Sequence, residues 1–301
     1  MGLADRTPPT AEEFVAYRER FKNWGRWGDH DELGTLNHVT DEARRYAAGL
    51  VRTGRAVSCA DPLATTPGLR NPNPAHHYLR VTPTASLDYI GVFYHGWVNT
   101  HIDALCHIFS AEGTLYDGRA TSEVTTMGAN TCSVDNWRDG IVTRGVLYDI
   151  PRLRGSDYVT LDRPVHGWDL ADAARAEGIK PRPGDAVFIR SGKTSYLADY
   201  PDAAIGTMPG VHASALEFLF ENDAALLGWD LQEAPDQGYA HRIPIHSIAI
   251  PYMGLPLLDN ANFERLAETC AELGRWEFQL IVAPLVVVGG TGSPVNPIAV
   301  F

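Results

Sequence analysis

The chain reads Asn-Thr-His-Ile-Asp-Ala-Leu-Cys-His over residues 99–107, so three side chains that can bind a metal ion or move a proton lie within seven residues. In an extended strand, side chains two residues apart point to the same side, and His101 and Asp103 should share one face with their Cα atoms about 7 Å apart. Zinc and manganese accept both imidazole nitrogen and carboxylate oxygen. The spacing therefore predicts that one cation binds both side chains.

The third group of this stretch, His107, lies four residues beyond Asp103. Imidazole has an ordinary pKa of about 6.5, which suits a group that takes up and releases a proton at neutral pH. A lone histidine in a strand is more often a hydrogen-bonded structural residue than a ligand. Three such groups together favour a functional site, because a buried Asp103 without a cation would need other partners. We therefore predict that Asp103 and His107 are catalytic.

Glycine-rich segments at residues 23–37, 183–192 and 289–294 accompany this stretch, and Thr100 and Phe109 flank its His-x-Asp-x-x-x-His core. Together these segments resemble the cyclase family, which includes bacterial kynurenine formamidase and isatin hydrolase and whose motif is His-x-Gly-Thr-His-x-Asp-x-Pro-x-His. The resemblance implies an α/β fold, the mixed-sheet swivelling β/β/α fold of that family. It also implies a metal-dependent hydrolase that opens amide, lactam or lactone bonds.

The chain departs from the family motif at the motif's first histidine. That position, four residues before His101, holds Trp97, and His95 stands two places early. A straight strand would keep His95 about 20 Å from His101, so only a bulge or loop would bring it in as a ligand. Asn99 replaces the motif's glycine and tolerates a positive φ, so it is expected to keep a bend there. We expect Trp97 to line the substrate pocket.

The resemblance implies two more groups at the metal, far along the chain. His246 matches the distal family histidine, and Asp259 is the best match to the carboxylate, where the formamidases carry glutamate. Asn260 and Asn262 follow Asp259, which leaves a helix N-terminus as the alternative interpretation of that aspartate. Because Trp97 replaces a ligand and aspartate is shorter than glutamate, we expect one divalent ion, zinc or manganese, with water completing its coordination.

Composition argues against several classes of protein. The 37 acidic and 25 basic residues give a net charge of −12, which disfavours nucleic acid as a partner. The four cysteines form no Cys-x-x-Cys pair, which argues against a zinc knuckle or a redox dithiol. The polar segment 1–10 does not resemble a signal peptide, and no apolar run approaches the roughly 18 residues of a membrane span. We therefore expect a cytoplasmic protein with a small-molecule substrate, and the resemblance implies a homo-oligomer.

The N-terminal part predicts helices and one aromatic loop. Thr10 and Glu13 have capping-box spacing, which predicts a helix to about Lys22, and Thr40 should cap a second helix. Between the helices lie Trp24 and Trp27, which we expect to line the substrate pocket, with core anchors as the alternative. We treat residues 1–301 as a single cyclase-like domain with an N-terminal helical and loop extension at about residues 1–55.

The rest of the chain alternates apolar runs with helical segments, which favours a mixed sheet. Helices are predicted at Trp168–Glu177, Ser214–Glu221 and Phe263–Leu273. Strands are predicted at Ala56–Ala60, Leu87–Phe93, Gly145–Ile150, Ala186–Ser191, Ala225–Trp229, Ile245–Ile250 and Gln279–Val288.

These observations predict a metal-dependent hydrolase that opens an amide, lactam or lactone bond of a small, cyclic substrate through an activated water. Two alternatives stay open. The first is a lyase or cyclase that uses Asp103 and His107 as an acid/base pair without metal. The second is a non-catalytic binder of small molecules, since Trp97 has displaced a ligand. Activity that survives chelation would favour the metal-free enzyme over the hydrolase.

Overall fold

A computed structural model describes residues 3–301 of the chain. Eight α-helices lie at Ala11–Arg20 (α1), Asp41–Ala48 (α2), Ile150–Arg154 (α3), Gly167–Ala176 (α4), Lys193–Asp199 (α5), Ala215–Glu221 (α6), His246–Ile248 (α7) and Glu264–Leu273 (α8). Within the described residues, no helix is both long enough and apolar enough to cross a membrane.

Thirteen strands accompany the helices. They are Ala56–Ser58 (β1), His76–Val81 (β2), Ser86–Gly91 (β3), His101–Asp103 (β4), Val124–Thr125 (β5), Gly128–Ala129 (β6), Ile141–Asp149 (β7), Ala186–Arg190 (β8), Leu226–Trp229 (β9), Leu257–Asp259 (β10), Glu277–Val282 (β11), Gly292–Pro294 (β12) and Ile298–Val300 (β13).

Nine of the strands form one mixed sheet in the order β1-β13-β11-β7-β8-β9-β10-β4-β12. The neighbours from β7 to β10 run parallel, and the remaining pairs are antiparallel. Helices connect the parallel strands, as crossover connections require. The expectation of a mixed sheet in an α/β fold is confirmed.

Both faces of the central sheet are buried. In β8, Ala186 and Phe188 belong to one apolar cluster, and Val187 and Ile189 belong to the other. Successive side chains of a strand point to opposite faces, so an uninterrupted apolar run is what a strand covered on both sides needs. β10 and β4 continue the sheet beyond β9, close to its β12 edge, and every residue of both strands is buried.

The N-terminal helices form as the sequence predicts. The Thr10 side chain accepts from the Glu13 amide, and the Glu13 carboxylate accepts from the Thr10 amide, which completes the capping box. The Thr40 side chain accepts a hydrogen bond from the Ala43 amide and so caps α2, without a reciprocal bond. The first helix is tied to the body because Phe14 is buried and stacks on Tyr239, with 4.2 Å between the ring centroids.

Two of the strand predictions are corrected. Ile245–Ile250 is not a strand: α7 is followed by a π-helical turn at Ala249–Met253. The segment is buried on almost every side, so its apolar run lacks the periodicity that separates helix from strand. The strand predicted at Gln279–Val288 ends at Val282, since Pro284 has no amide hydrogen to offer the ladder.

Candidate metal centre

Strand pairing brings the predicted groups together. β4 and β10 are antiparallel, and His101 lies directly opposite Asp259. Residues directly opposite each other in a sheet point to the same face, so the two side chains share one environment with Asp103, two residues along β4. Asp259 thus ends a strand and does not start a helix, because α8 begins only at Glu264.

His95 also reaches this cluster. Its Nδ1 is 2.9 Å from Oδ1 of Asp103, and its ring centroid is 5.2 Å from that of His101. The chain does not run straight between the two histidines, because it turns at Gly96, whose φ is +139°. The chain bends over residues 95–99, as expected, but the positive φ falls at Gly96 and not at Asn99, whose side chain accepts a hydrogen bond from the Ala64 amide.

The clustered residues fall into two groups, and in each the candidate ligand atoms lie within 4.8 Å of one another. The first group is His95, His101 and Asp103, and the second is Asp103, His246 and Asp259. His246 Nε2 is 3.2 Å from Asp259 Oδ2 and 3.6 Å from Asp103 Oδ2. Asp103 is therefore the carboxylate that both groups share.

Asp103 is fully buried, and its Oδ2 has no hydrogen-bond partner. Burial raises the pKa of this carboxyl, but the electrostatic interaction with the nearby His107 and hydrogen bonds from His101 and His95 hold it well below its usual range. A buried carboxylate oxygen without a donor is costly, and a cation would satisfy it. Imidazole nitrogen and carboxylate oxygen are suitable ligands for zinc or manganese. The residues present therefore fit a divalent ion.

Glu233, which the sequence reasoning missed, fixes the distal histidine. Its Oε1 accepts from the His246 backbone amide at 3.0 Å and lies 2.6 Å from His246 Nδ1. Burial lowers the pKa of His246, but the charges of Glu233 and Asp259 raise it well above its usual value. A hydrogen bond at Nδ1 leaves Nε2 to face the shared carboxylates, as in many metal-bound histidines.

Asp259 is held by two donors that were likewise missed. Trp229 Nε1 donates to Oδ1 at 2.6 Å, and Gln232 Nε2 donates to Oδ2 at 2.6 Å. Trp229 ends β9, and the polar residues that follow lie beside the end of the parallel strand β10. Ligand-binding groups gather at the carboxyl ends of parallel strands, so polar residues directly after β9 were the available signal.

His107 lies at the edge of the cluster and belongs to neither ligand group. Its Nε2 is 3.8 Å from Asp103 Oδ2, and its ring stacks on that of His95 with 3.8 Å between centroids. Burial lowers the pKa of His107 to about 4, although the nearby Asp103 charge opposes this. The imidazole is therefore neutral at pH 7 and can accept a proton.

Two cavities adjoin the cluster, and Trp97 lines both. One has a volume of about 500 Å³ and lies between Glu233 and the loop of residues 234–244. The other, of about 240 Å³, includes Gln232 and Lys193 in its wall. Trp97 is thus common to the walls of both cavities, and neither wall includes His95, His101 or Asp103.

Trp24 and Trp27 are placed elsewhere, and neither lines these two cavities. Trp24 donates from Nε1 to the Pro251 carbonyl at 2.8 Å and stacks on Tyr252. Trp27 meets the His38 ring edge-on. These contacts are those of residues that anchor the N-terminal loop to the body.

The mixed sheet with a buried histidine and aspartate cluster on β4 and β10, near the β12 edge, defines an enzyme-like α/β class. The chain belongs to the Cyclase family, whose model matches residues 36–234. This confirms the resemblance read from the sequence.

Solved structures support the same assignment. A crystal structure described as a novel cyclase is 30% identical, with a TM-score of 0.84, and the match covers 93% of this chain and 100% of that chain. An isatin hydrolase bound to the product analogue thioisatinate is 18% identical, with a TM-score of 0.60 and coverage of 87% and 97%. Isatin hydrolase A from Labrenzia aggregata, bound to benzyl benzoate, is 20% identical, with a TM-score of 0.60 and coverage of 84% and 94%. No curated protein matches the chain.

Proposed function

We propose that this chain is a metal-dependent hydrolase that opens an amide, lactam or lactone bond of a small, cyclic substrate. The observation that carries the proposal is Asp103, a fully buried carboxylate that belongs to two candidate ligand groups and keeps one oxygen without a partner. Fold neighbours named isatin hydrolases agree with hydrolysis of a small molecule.

His95, His101 and Asp103 are the preferred ligand set for one ion, zinc or manganese. His101 Nδ1 lies 2.8 Å from the Asn99 carbonyl, which leaves Nε2 facing Asp103. In the second group, both oxygens of Asp259 already accept hydrogen bonds from neutral side chains. His246 Nε2 lies 3.6 Å from Asp103 Oδ2 and would add a further ligand at the shared carboxylate, whereas Asp259 would bind an ion only if its two donors were displaced.

A bound divalent ion supplies a Lewis acid for the substrate carbonyl and lowers the pKa of a bound water to about 7. His107 supplies the proton transfer: its neutral imidazole accepts a proton from the attacking water and returns it to the leaving nitrogen or oxygen as the bond to the carbonyl carbon breaks. Trp97 supplies a flat apolar wall for the substrate. Glu233 keeps His246 oriented toward the carboxylates.

The distance between Asp103 and His107 bears on the metal-free alternative. Their closest atoms are 3.8 Å apart, which is too far for the hydrogen bond that a direct acid/base pair would use. This distance suits two side chains that act on different atoms of one bound substrate or water, and not on each other. It therefore favours the hydrolase over the metal-free lyase or cyclase.

Metal analysis and chelation test the proposal. Protein purified without chelator should contain stoichiometric zinc or manganese, and it should hydrolyse at least one member of a panel of lactams, lactones and amides. Chelation and His101→Ala should each abolish both properties, whereas His30→Ala, at an exposed histidine, should preserve them. Absence of stoichiometric metal together with activity that survives chelation would overturn the proposal.

A further inference from the structure

The larger cavity beside the cluster has an arginine in its wall that no carboxylate neutralises. Arg242 belongs to the loop of residues 234–244 and lines this cavity together with Trp97 and Glu233. Within residues 3–301, the Arg242 guanidinium takes part in no ion pair and no hydrogen bond. Arginine keeps its charge at all pH values at which proteins work, so the cavity wall carries a permanent positive charge.

Carboxylates are not scarce in this chain, which has 37 acidic residues against 25 basic ones. Asp236 lies on the same loop and lines the same cavity, yet among the described residues it forms no ion pair with Arg242. The guanidinium therefore keeps all of its donors for a negative group of a bound molecule.

The head group of Arg242 lies at the cavity surface. A Cβ atom placed on Gly206 would lie 3.7 Å from Nη2 of Arg242, and Gly206 is itself part of the cavity wall. The side chain thus extends from its own loop to a different segment of the wall. A molecule in the cavity can reach the guanidinium there.

Helix α1 holds the loop that carries Arg242. Tyr239 of the loop stacks on Phe14 of α1, with 4.2 Å between the ring centroids. His241, directly before Arg242, has its Nε2 3.1 Å from a terminal nitrogen of Arg18. A binding group that is already held in place loses less conformational entropy when its ligand binds. These contacts therefore prepare Arg242 for binding.

The two elements lie outside the segment that matches the family model. That segment covers residues 36–234, whereas α1 ends at Arg20 and the loop continues to residue 244. Binding residues on loops vary more than the scaffold that carries them. A preference that depends on α1 and this loop can therefore differ between proteins that share the buried cluster.

We infer that Arg242 binds a carboxylate of the substrate, whose ring lies against Trp97 and Tyr239. The inference rests on the proposed hydrolase function, and it narrows the substrates to small ring-containing acids whose carboxylate is separate from the bond that is opened. A guanidinium matches a carboxylate with two parallel hydrogen bonds. The two aromatic side chains supply flat apolar area, and a cavity of about 500 Å³ is of the size that small molecules occupy.

Binding of two matched probes tests the inference without turnover, so it can fail separately from the proposed hydrolase. Titration followed by NMR gives the Kd of phenylacetate and of its neutral analogue phenylacetamide. Wild-type protein should bind the acid about tenfold more tightly than the amide. Arg242→Gln should weaken binding of the acid by about tenfold or more and leave binding of the amide within about twofold, because only the acid uses the charge.

Arg45→Gln is the matched control, because Arg45 is also exposed and has no ion pair among the described residues, but it does not line the cavity. It should bind both probes as wild type does. Equal affinity of wild-type protein for the two probes, or no measurable binding of phenylacetate, would overturn the inference. An unchanged Kd for phenylacetate in Arg242→Gln would also overturn it, since the carboxylate would then be bound elsewhere, for example by the ion.

Two further variants test whether charge is the cause. Arg242→Lys keeps the positive charge and should bind phenylacetate within about fivefold of wild type. Asp236→Asn removes a negative charge from the same wall and should strengthen binding of the acid by about twofold. A loss in Arg242→Lys as large as that in Arg242→Gln, or weaker binding in Asp236→Asn, would contradict a site for an anion.

Steady-state kinetics connects the site to the reaction. For panel substrates that carry a carboxylate, Arg242→Gln should raise KM by about tenfold while kcat stays within about threefold, because the contact is equal in the ground state and the transition state. Hydrolysis of neutral panel members alone would overturn the inference and leave the hydrolase function standing. Selective binding of phenylacetate without hydrolysis of any panel member would overturn the hydrolase function and leave the Arg242 site standing.

Discussion

The buried histidine and aspartate cluster and the exposed hairpin of β2 and β3 both depart from the usual distribution of polar and apolar side chains, in opposite directions. Asp103 is polar and completely buried, whereas Val81 is apolar and 75% exposed. Folded proteins place carboxylates outside and large apolar groups inside unless something else compensates. Packing within the chain explains neither region, and for the cluster the proposed cation would supply the compensation that Asp103 lacks.

The largest expected effect comes from removing the charge of the shared carboxylate. Asp103→Asn should lower kcat/KM at least 1,000-fold and abolish binding of the ion, because the group common to both ligand sets loses its charge. Metal stoichiometry and steady-state kinetics measure both losses.

Asp88→Asn on the hairpin is the matched control for this substitution. Asp88 also contacts a histidine, with 2.6 Å between His77 Nε2 and its Oδ1, but both side chains are exposed. The variant should keep its metal and stay within about twofold of wild-type activity, since exposed pairs contribute little. Equal losses of metal and activity in Asp103→Asn and Asp88→Asn would contradict the proposed difference between the buried cluster and the hairpin.

An intermediate effect is expected at the positioning residue of the cluster. Glu233→Gln removes the negative charge that faces His246 Nδ1, and it should weaken affinity for the ion by about 10- to 100-fold while leaving the fold intact. Competition with a chromogenic chelator gives the affinity. Glu12→Gln, in the exposed first turn of α1, should not change it. Unchanged affinity in Glu233→Gln would mean that His246 does not bind the ion.

The smallest effect concerns Glu177, which lies outside both regions and has a buried Oε2 without a partner. Burial, followed by the charge of Asp149, raises the pKa of Glu177 to about 8. Protonated Glu177 is tolerated in the folded state, so its contribution to the free energy of unfolding is fully present below the unfolded-state pKa of about 4.3. That contribution is lost as the pH rises through the folded-state pKa of about 8.

Glu177→Gln should therefore gain stability relative to wild type between pH 5 and pH 9, by about 1 kcal/mol after allowance for solvent screening. Urea unfolding at the two pH values measures the gain, and Glu268→Gln, an exposed substitution on α8, is the control. A gain that is equal at both pH values would show that burial of this carboxylate is not costly by itself. In that case burial of Asp103 would not by itself indicate that a cation binds there.

Local patterns predicted the parts of the site that lie close together in sequence. His101 and Asp103 share a face because they lie two residues apart in β4, and the capping residues of α1 and α2 act within one turn. The placement of His95 depends on a positive φ at Gly96, which the sequence allowed but did not require.

The parts of the site that local patterns could not place depend on register between distant segments. Asp259 faces His101 only because β10 pairs with β4 in one particular register, and β10 itself was not predicted. Glu233 reaches His246 because α7 replaces the predicted strand and directs its backbone amide toward that carboxylate. Such pairings are set by the whole sheet, so periodicity within one segment cannot specify them.

The hydrogen bonds between Glu233 and His246 close a loop, and most of its residues from 234 to 244 line the larger of the two cavities. Both ends of that loop are fixed at the cluster, while its middle contacts whatever occupies the cavity. Loops anchored on a rigid scaffold tolerate substitution and insertion well. Under the proposed function, substitutions within 234–244 would change which molecules the cavity accepts without disturbing the buried carboxylates, so substrate preference would diverge in evolution while the chemistry stays unchanged.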